Sequence, residues 1–283
     1  MPSRNSVRLM TDIDIDSTTA PDAAASHPAP PTPADGPPRL TRLTFHGPLS
    51  EARATELVRR LAAPGPGTVL DIGCGWGELM LRVLEAVPDA RGTGVDLNGD
   101  DLAQGRRNAA ARGLAGRVEF AEESALATER GPADLVLCLG SSHALGTATP
   151  PGHTAEALRE LRRLVADGGR VLLGECFWER VPTAAELSGM WPEARATDQY
   201  DLATLVDLAV AAGFRPEWIE TASLDEWEAF ESAYQADVEV WLAEHGEHPL
   251  AAGTRERVDR HRAQWLNYRG ILGMAYLTLV PVR

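Results

Sequence analysis

The chain has 283 residues, 44% of them hydrophobic, enough to bury one substantial core with an inserted or appended subdomain. Its formal charge is −14, all its basic residues are Arg, and no basic stripe is visible, which argues against a nucleic-acid partner. Cys74, Cys138 and Cys176 are far apart and odd in number, so neither a disulfide framework nor a zinc site is indicated. The apolar runs fall well short of the roughly 18 residues that span a bilayer, and acidic residues stand where a signal peptide needs an apolar core. A cytoplasmic protein without a membrane partner is expected.

Residues 1–38 are rich in Pro, Ala, Asp, Ser and Thr, without apolar periodicity, and are expected to form a disordered leader. Ordered structure is expected from about Leu40, with residues 39–283 forming one domain and Ser50 capping a helix that runs through Leu61. From Thr68, short β-branched or apolar runs alternate with helical segments, the pattern of βαβ units around a parallel sheet. Strands are expected at 68–72, 92–96, 117–121, 133–139, 170–175, 214–220 and 274–282, and helices at 78–86, 100–112, 154–165 and 202–212. Asp167-Gly168-Gly169 reads as a helix stop and tight turn before the fifth strand. Residues 223–269 form a long helical insertion. Within it Leu224, Trp227, Tyr234, Val238, Trp241 and Leu242 recur at helical spacing, and a second helix follows over 254–268. That stripe either simply packs on the sheet or forms a lid over a substrate pocket.

The segment Val69-Leu70-Asp71-Ile72-Gly73-Cys74-Gly75-Trp76-Gly77-Glu78-Leu79 carries the chemistry. A buried strand runs into a glycine-rich turn and then a helix. Glycines there permit φ > 0 and close approach of a ligand, and in a doubly wound sheet the turn borders the ligand crevice. A dinucleotide site wants GxGxxG and a pyrophosphate on the helix N-terminus. Here the spacing is GxGxG, and Glu78 stands at the third glycine position, where it would oppose a pyrophosphate. Asp71 suits a cationic ligand instead. S-adenosylmethionine, with a sulfonium, an α-amino group and no phosphate, fits better. Asp96, ending Gly94-Val95-Asp96-Leu97 about 20 residues on, reads as a ribose-diol acceptor.

VLDIGCGWGEL followed by GVDLN resembles the signature of class I S-adenosylmethionine-dependent methyltransferases. The resemblance extends from about Leu40 to the C-terminus. It implies a doubly wound, Rossmann-like α/β sheet of seven strands, the last antiparallel and inserted beside the fifth. It also implies that Asp71, Gly73 and Gly75 lie near the amino-acid end of the cofactor, that Asp96 holds the ribose, and that Leu97 packs on the adenine. The implied cofactor set extends to Gly77 and to Leu139. After the third strand many members carry an acid near the adenine amino group, whereas here Ser124 stands in that place with Glu123 beside it. Gly174-Glu175-Cys176-Phe177-Trp178, Pro182-Thr183 and the Trp/Tyr-rich insertion further resemble a small-molecule branch of the family.

Methyl transfer is an in-line displacement in which alignment of the acceptor alone supplies on the order of 7–11 kcal/mol. The fourth strand ends Cys138-Leu139-Gly140-Ser141-Ser142-His143-Ala144 and lacks the Asp/Asn-Pro-Pro-aromatic run of exocyclic-amine nucleic-acid methyltransferases. His143 is the candidate base, since imidazole titrates near neutral pH, and its bland alternative is a histidine that only hydrogen-bonds the loop. Glu175, at the expected end of the fifth strand, would orient an amine or hydroxyl, or else cap a helix. Ser142, Trp178 and Tyr268 are the substrate-side candidates, the aromatics being equally at home in a core. The function expected is methyl transfer to an O or N atom, or a C atom, of a small metabolite. The rivals are a nicotinamide-dependent oxidoreductase and a cofactor-binding protein that transfers no methyl group.

Overall fold

The computed structural model describes residues 36–282, so all but the last three residues of the expected leader lie outside the described residues. Helix α1 (Glu51–Ala62) begins at Ser50, whose side chain accepts from the Arg53 amide, and it buries Ala54, Leu57 and Leu61 along one face. Each of those leucines is worth roughly 1.5–3 kcal/mol of transfer free energy. Strand β1 (Thr68–Ile72) is buried at every position but its first, as a parallel strand covered on both faces must be.

The chain continues through α2 (Glu78–Ala86), β2 (Arg91–Asp96), α3 (Gly99–Ala111), β3 (Val118–Glu122), β4 (Ala133–Leu139), α4 (Gly152–Leu164) and β5 (Val165–Trp178). It ends with α5 (Ala184–Gly189), α6 (Leu202–Ala211), β6 (Phe214–Thr221), α7 (Leu224–Glu244), α8 (Ala251–Tyr268) and β7 (Leu272–Pro281). The seven strands lie in the order β3-β2-β1-β4-β5-β7-β6. All neighbours are parallel except β7, which runs antiparallel between β5 and β6. Strand alternation sorts the core into two layers. Leu135, Leu137, Leu172, Cys176 and Tyr276 pack with residues of α1, α2, α3 and α7. Val136, Cys138, Leu173, Phe177 and Leu277 pack with residues of α4 and α6.

Strand β5 differs from the expected 170–175. It begins at Val165 and runs to Trp178, and Asp167-Gly168-Gly169 lies inside it at a register shift opposite Ala133–Leu135. Gly168 supplies the left-handed residue there, at φ 81°. Beyond Glu175 the strand persists because β7 pairs with it as far as Trp178. In the insertion, Trp227, Val238, Trp241 and Leu242 are buried as their spacing predicts, whereas Leu224 is exposed. Helix α7 opens with a capping box between Ser223 and Glu226. The same Glu226 accepts from the Ser50 hydroxyl at 2.6 Å and takes the Arg53 guanidinium in a fork at 2.8–3.1 Å. Burial alone would raise its pKa, but Arg53 and Ser50 together pull it down to about 2.

Candidate functional site

The order of strands reverses between β1 and β4, and the loops after them form the two sides of a crevice, the expected ligand position in an open α/β sheet. The two loops are stitched together. Ser141, after β4, donates its hydroxyl to the Ile72 carbonyl at 2.5 Å. Gly73, Gly75 and Gly77 all have φ between 53° and 67°. A Cβ on Gly73 would lie 2.3 Å from that of Ser141, and one on Gly77 would lie 2.8 Å from the Phe120 ring. On Gly75 it would meet the His46 imidazole at 3.1 Å. The positive φ at each glycine is as the sequence leads one to expect, and the space a side chain would fill there is taken by the protein itself.

The crevice has two chambers that share Gly73 and His46. The larger, about 1040 Å³ with its open mouth, is lined by Asp96, Leu97, Asn98, Glu123, Ser124, Leu126, Ser141 and His143 among others. The smaller, about 550 Å³ with its open mouth, lies between Asp71, Gly73, Cys74, Leu139, Met274 and Tyr276 below and Phe45, His46 and Leu49 above. Asp71 is buried, and burial together with the neighbouring charge of Asp96 pushes its pKa up to about 8. Asp96 accepts from the Gly75 amide at 2.7 Å with one carboxylate oxygen and from the Asn98 amide at 2.9 Å with the other. Each oxygen keeps lone-pair capacity for a further donor. Leu97 is 72% exposed and Leu126 48% exposed, an unusual pair of apolar side chains lining one cavity.

Most of the candidates for cofactor binding line the two chambers, with two qualifications. Gly77 lines neither chamber, because its amide is held by the Cys74 carbonyl at 2.8 Å and its α-carbon faces Phe120. It shapes the turn from behind. Glu123 does line the larger chamber, but its carboxylate is forked by Arg130 at 2.8–3.0 Å, and Ser124 Oγ accepts from the Leu126 amide. Glu78 also differs from its expected part. Arg82 at 2.7 Å and Arg112 at 2.6 Å neutralise it, so the turn's spacing, and not a free charge at Glu78, is what tells against a pyrophosphate.

The catalytic and substrate candidates disperse. His143 stands in the 3₁₀ turn Ser142–Leu145 on the wall of the larger chamber. Glu175 is not at a strand end. It is interior to β5, opposite Ala275, on the α4 side of the sheet, and lines neither chamber. Burial raises its pKa to about 7 against a hydrogen bond from Ser142, and His153 of α4 stands 4.0 Å away. Ser142 is buried with it. Trp178 is buried, donates its indole N–H to the Ala196 carbonyl and stacks on Trp191. Tyr268 donates its hydroxyl to Glu231, a buried carboxylate that also binds His261. Ser142, Trp178 and Tyr268 therefore sit in packed surroundings behind the chambers. Sequence reading passed over His46 and His153. For His46 the available signal was the run Phe45-His46-Gly47-Pro48 just ahead of the Ser50 cap. For His153 there was none, since only the fold brings it to Glu175. Among the described residues no group of three or more His, Cys, Asp or Glu is placed to hold a metal ion.

A Rossmann-like sheet of this strand order, with two carboxylates at its switch point and an exposed leucine pair beside them, is similar to that of class I S-adenosylmethionine-dependent methyltransferases. Residues 69–169 match the family model described as a methyltransferase domain. The Escherichia coli protein YjhP is 27% identical over 241 residues, which cover 83% of this chain and 93% of YjhP. An S-adenosylmethionine-dependent methyltransferase of Geobacter sulfurreducens, crystallised with S-adenosyl-L-homocysteine, is 25% identical with a TM-score of 0.72, covering 86% of this chain and 98% of its own. A Thiobacillus denitrificans methyltransferase, also solved with S-adenosyl-L-homocysteine, matches with the same figures.

Proposed function

We propose that the chain transfers the methyl group of S-adenosylmethionine to an O or N atom, or a C atom, of a small metabolite. The observation that carries this reading is Asp71: a buried carboxylate beside Asp96 that, among the described residues, has no cation to balance it. Two carboxylates so placed favour a ligand that brings positive charge, as a sulfonium and an α-amino group do. The donor set fits the rest of such a cofactor. Asp71 takes the ammonium, Asp96 the ribose hydroxyls, and Leu97 and Leu126 flank the adenine, with Glu123, Ser124 and the Gly73 and Gly75 backbone completing the cradle. Bound there, the cofactor supplies an electrophilic methyl carbon; the chain's task is to exclude water and align the acceptor.

The acceptor lies where the two chambers meet, between Leu139, Met274 and Tyr276 of the smaller and His143 on the wall of the larger. The lining of the smaller chamber is mostly apolar with a few polar groups, as small-molecule sites are. His143 is the base that accepts a proton from an acceptor arriving protonated, and Glu175 positions its neighbour Ser142. The insertion of 223–269 serves as the lid, its helix α7 tied to the start of α1 through Glu226. We place the reaction in the cytoplasm, on the grounds of cysteine usage and charge. Among the described residues no helix is long and apolar enough to cross a membrane.

Calorimetric titration with S-adenosylmethionine, S-adenosyl-L-homocysteine and NADH tests the cofactor site. Binding of the first two and not the third is expected. A screen of small alcohols, phenols and amines as methyl acceptors, run beside a protein acceptor panel, tests the substrate class; turnover confined to proteins would overturn it.

A further inference from the structure

We propose that His46 holds the carboxylate of the cofactor's methionine end through a hydrogen bond from its imidazole. The inference rests on the cofactor reading above and adds to it a residue from outside the glycine turn. Residues 39–49 form a strap across the crevice. Arg39 is paired with Asp101 of α3 at 2.7 Å, and the Thr41 amide donates to Asp237 of α7 at 3.1 Å. Trp76 donates its indole N–H to the Thr44 carbonyl at 2.8 Å, and Tyr276 its hydroxyl to the Pro48 carbonyl at 3.0 Å. The strap sets His46 edge-on against Trp76, 3.6 Å between ring centres, directly over Gly75 and at the junction of the two chambers.

His46 Nε2 is enclosed and has no hydrogen-bond partner among the described residues. A buried polar atom left so costs about 1–3 kcal/mol, and a site tolerates that where a ligand supplies the missing partner. The charged groups facing the ring are Asp96, Asp101 and Arg39, and burial keeps the imidazole toward its neutral form. A neutral imidazole still donates one N–H.

The methionine end is a zwitterion, and it needs a donor as well as Asp71. The glycine turn is an obvious source, but its amides are largely engaged. Cys74 N–H binds the Val95 carbonyl, Gly75 N–H binds Asp96, and Gly77 N–H binds the Cys74 carbonyl. Among the other side chains lining the smaller chamber, Trp76 and Tyr276 have committed their donors to the strap. Glu78 offers only carboxylate oxygens, and these are held by two arginines. His46 is left, next to Asp71 and Gly73 in the same chamber.

The test compares two ligands on the full chain. S-adenosyl-L-homocysteine carries the amino-acid end; 5′-methylthioadenosine keeps the adenosine and the thioether without it. His46→Ala is expected to weaken the first about 10–100-fold, the worth of one hydrogen bond to a charged group, and the second by less than about threefold. His46→Gln, which keeps an N–H at the end of its side chain, is expected to recover part of the loss. His46→Phe keeps a ring against Trp76 and is expected to behave as the alanine variant does; it replaces that variant if alanine does not fold. Equal losses on both ligands, or no loss on S-adenosyl-L-homocysteine, overturn the proposal. Wild-type protein that binds neither ligand overturns the cofactor reading itself.

Discussion

Gly73→Ala separates two reasons for a glycine turn, room for the protein and room for the ligand. The added Cβ would stand 2.3 Å from the Ser141 Cβ and 2.9 Å from its hydroxyl oxygen, at a backbone φ of 61°. The left-handed conformation costs a residue with a Cβ roughly 1–2 kcal/mol, and overpacking a close contact roughly 1–3 kcal/mol more. A loss of about 2–5 kcal/mol is therefore expected before any ligand is added, or roughly 4–20 °C in Tm for a domain of this size. Ser141 cannot swing aside freely, because its hydroxyl binds the Ile72 carbonyl and lies 3.4 Å from the Cys138 sulfur. Urea unfolding of the ligand-free protein measures the loss, and the double variant Gly73→Ala/Ser141→Gly apportions it. Removing the Ser141 side chain relieves the clash but not the backbone strain, so the double variant should show a favourable coupling of about 1–3 kcal/mol. If Gly73→Ala unfolds within about 0.5 kcal/mol of the wild type yet no longer binds cofactor, the steric reasoning is refuted and the ligand needs that space after all.

Asp71→Asn should weaken S-adenosyl-L-homocysteine binding by more than about tenfold, by the loss of one charge-assisted contact. Because the free carboxyl titrates near 8, wild-type affinity should rise with pH up to that value, and a flat titration between pH 6 and 8 would sink the assignment. The same raised pKa makes a stability statement. Asp71 stabilises the ligand-free fold fully below its unfolded pKa, and that contribution is lost as pH rises through about 8, so Asp71→Asn should melt higher than wild type at pH 9. His143→Ala should lower kcat by about 10²–10⁴-fold if the acceptor arrives protonated, with cofactor affinity unchanged. Glu175→Gln should cost less than about tenfold in kcat while lowering Tm, and the opposite ranking of the two variants would return Glu175 to the chemistry. Glu226→Gln should destabilise the fold by about 2–4 kcal/mol at pH 7 by breaking the fork with Arg53. Its folded pKa is depressed, so the difference is present above the ordinary carboxylate range and should shrink as pH falls toward 2.

The sheet was legible in the sequence because each parallel strand is a short apolar run between turn residues. Thr68–Ile72 and Ala133–Leu139 read to the residue. Strand β5 was not, for two physical reasons. Asp167-Gly168-Gly169 has the composition of a turn but is absorbed as an irregularity in a paired strand. The strand's far end is set by hydrogen bonds to β7, a segment about a hundred residues downstream whose register leaves no local trace. That misplaced end made Glu175 read as a loop carboxylate. The glycine turn and the carboxylates beside it were legible through Asp71, Gly73, Gly75 and Asp96, since backbone conformation and charge at fixed spacing are local properties. The packing against its glycines was not, because Ser141, His46 and Phe120 reach them from three other parts of the chain. Nor was His46, whose one local signal is the run Phe45-His46-Gly47-Pro48 and which gains its meaning where it packs over Gly75 and Trp76.

Glu226 also has a bearing on the order of assembly during synthesis. It anchors the start of α1 from 173 residues downstream, and Asp237 anchors the strap from 196 residues beyond Thr41. At about 5–20 residues per second, the ribosome needs roughly 10–35 s to travel from Arg53 to Glu226. Through that interval the glycine turn and its first strands can pair, while the strap above them still lacks its downstream anchors. The earliest described segment of the chain is therefore among the last to be fastened, and a chain stalled before α7 would leave the Ser50 cap and the strap without the carboxylates that hold them.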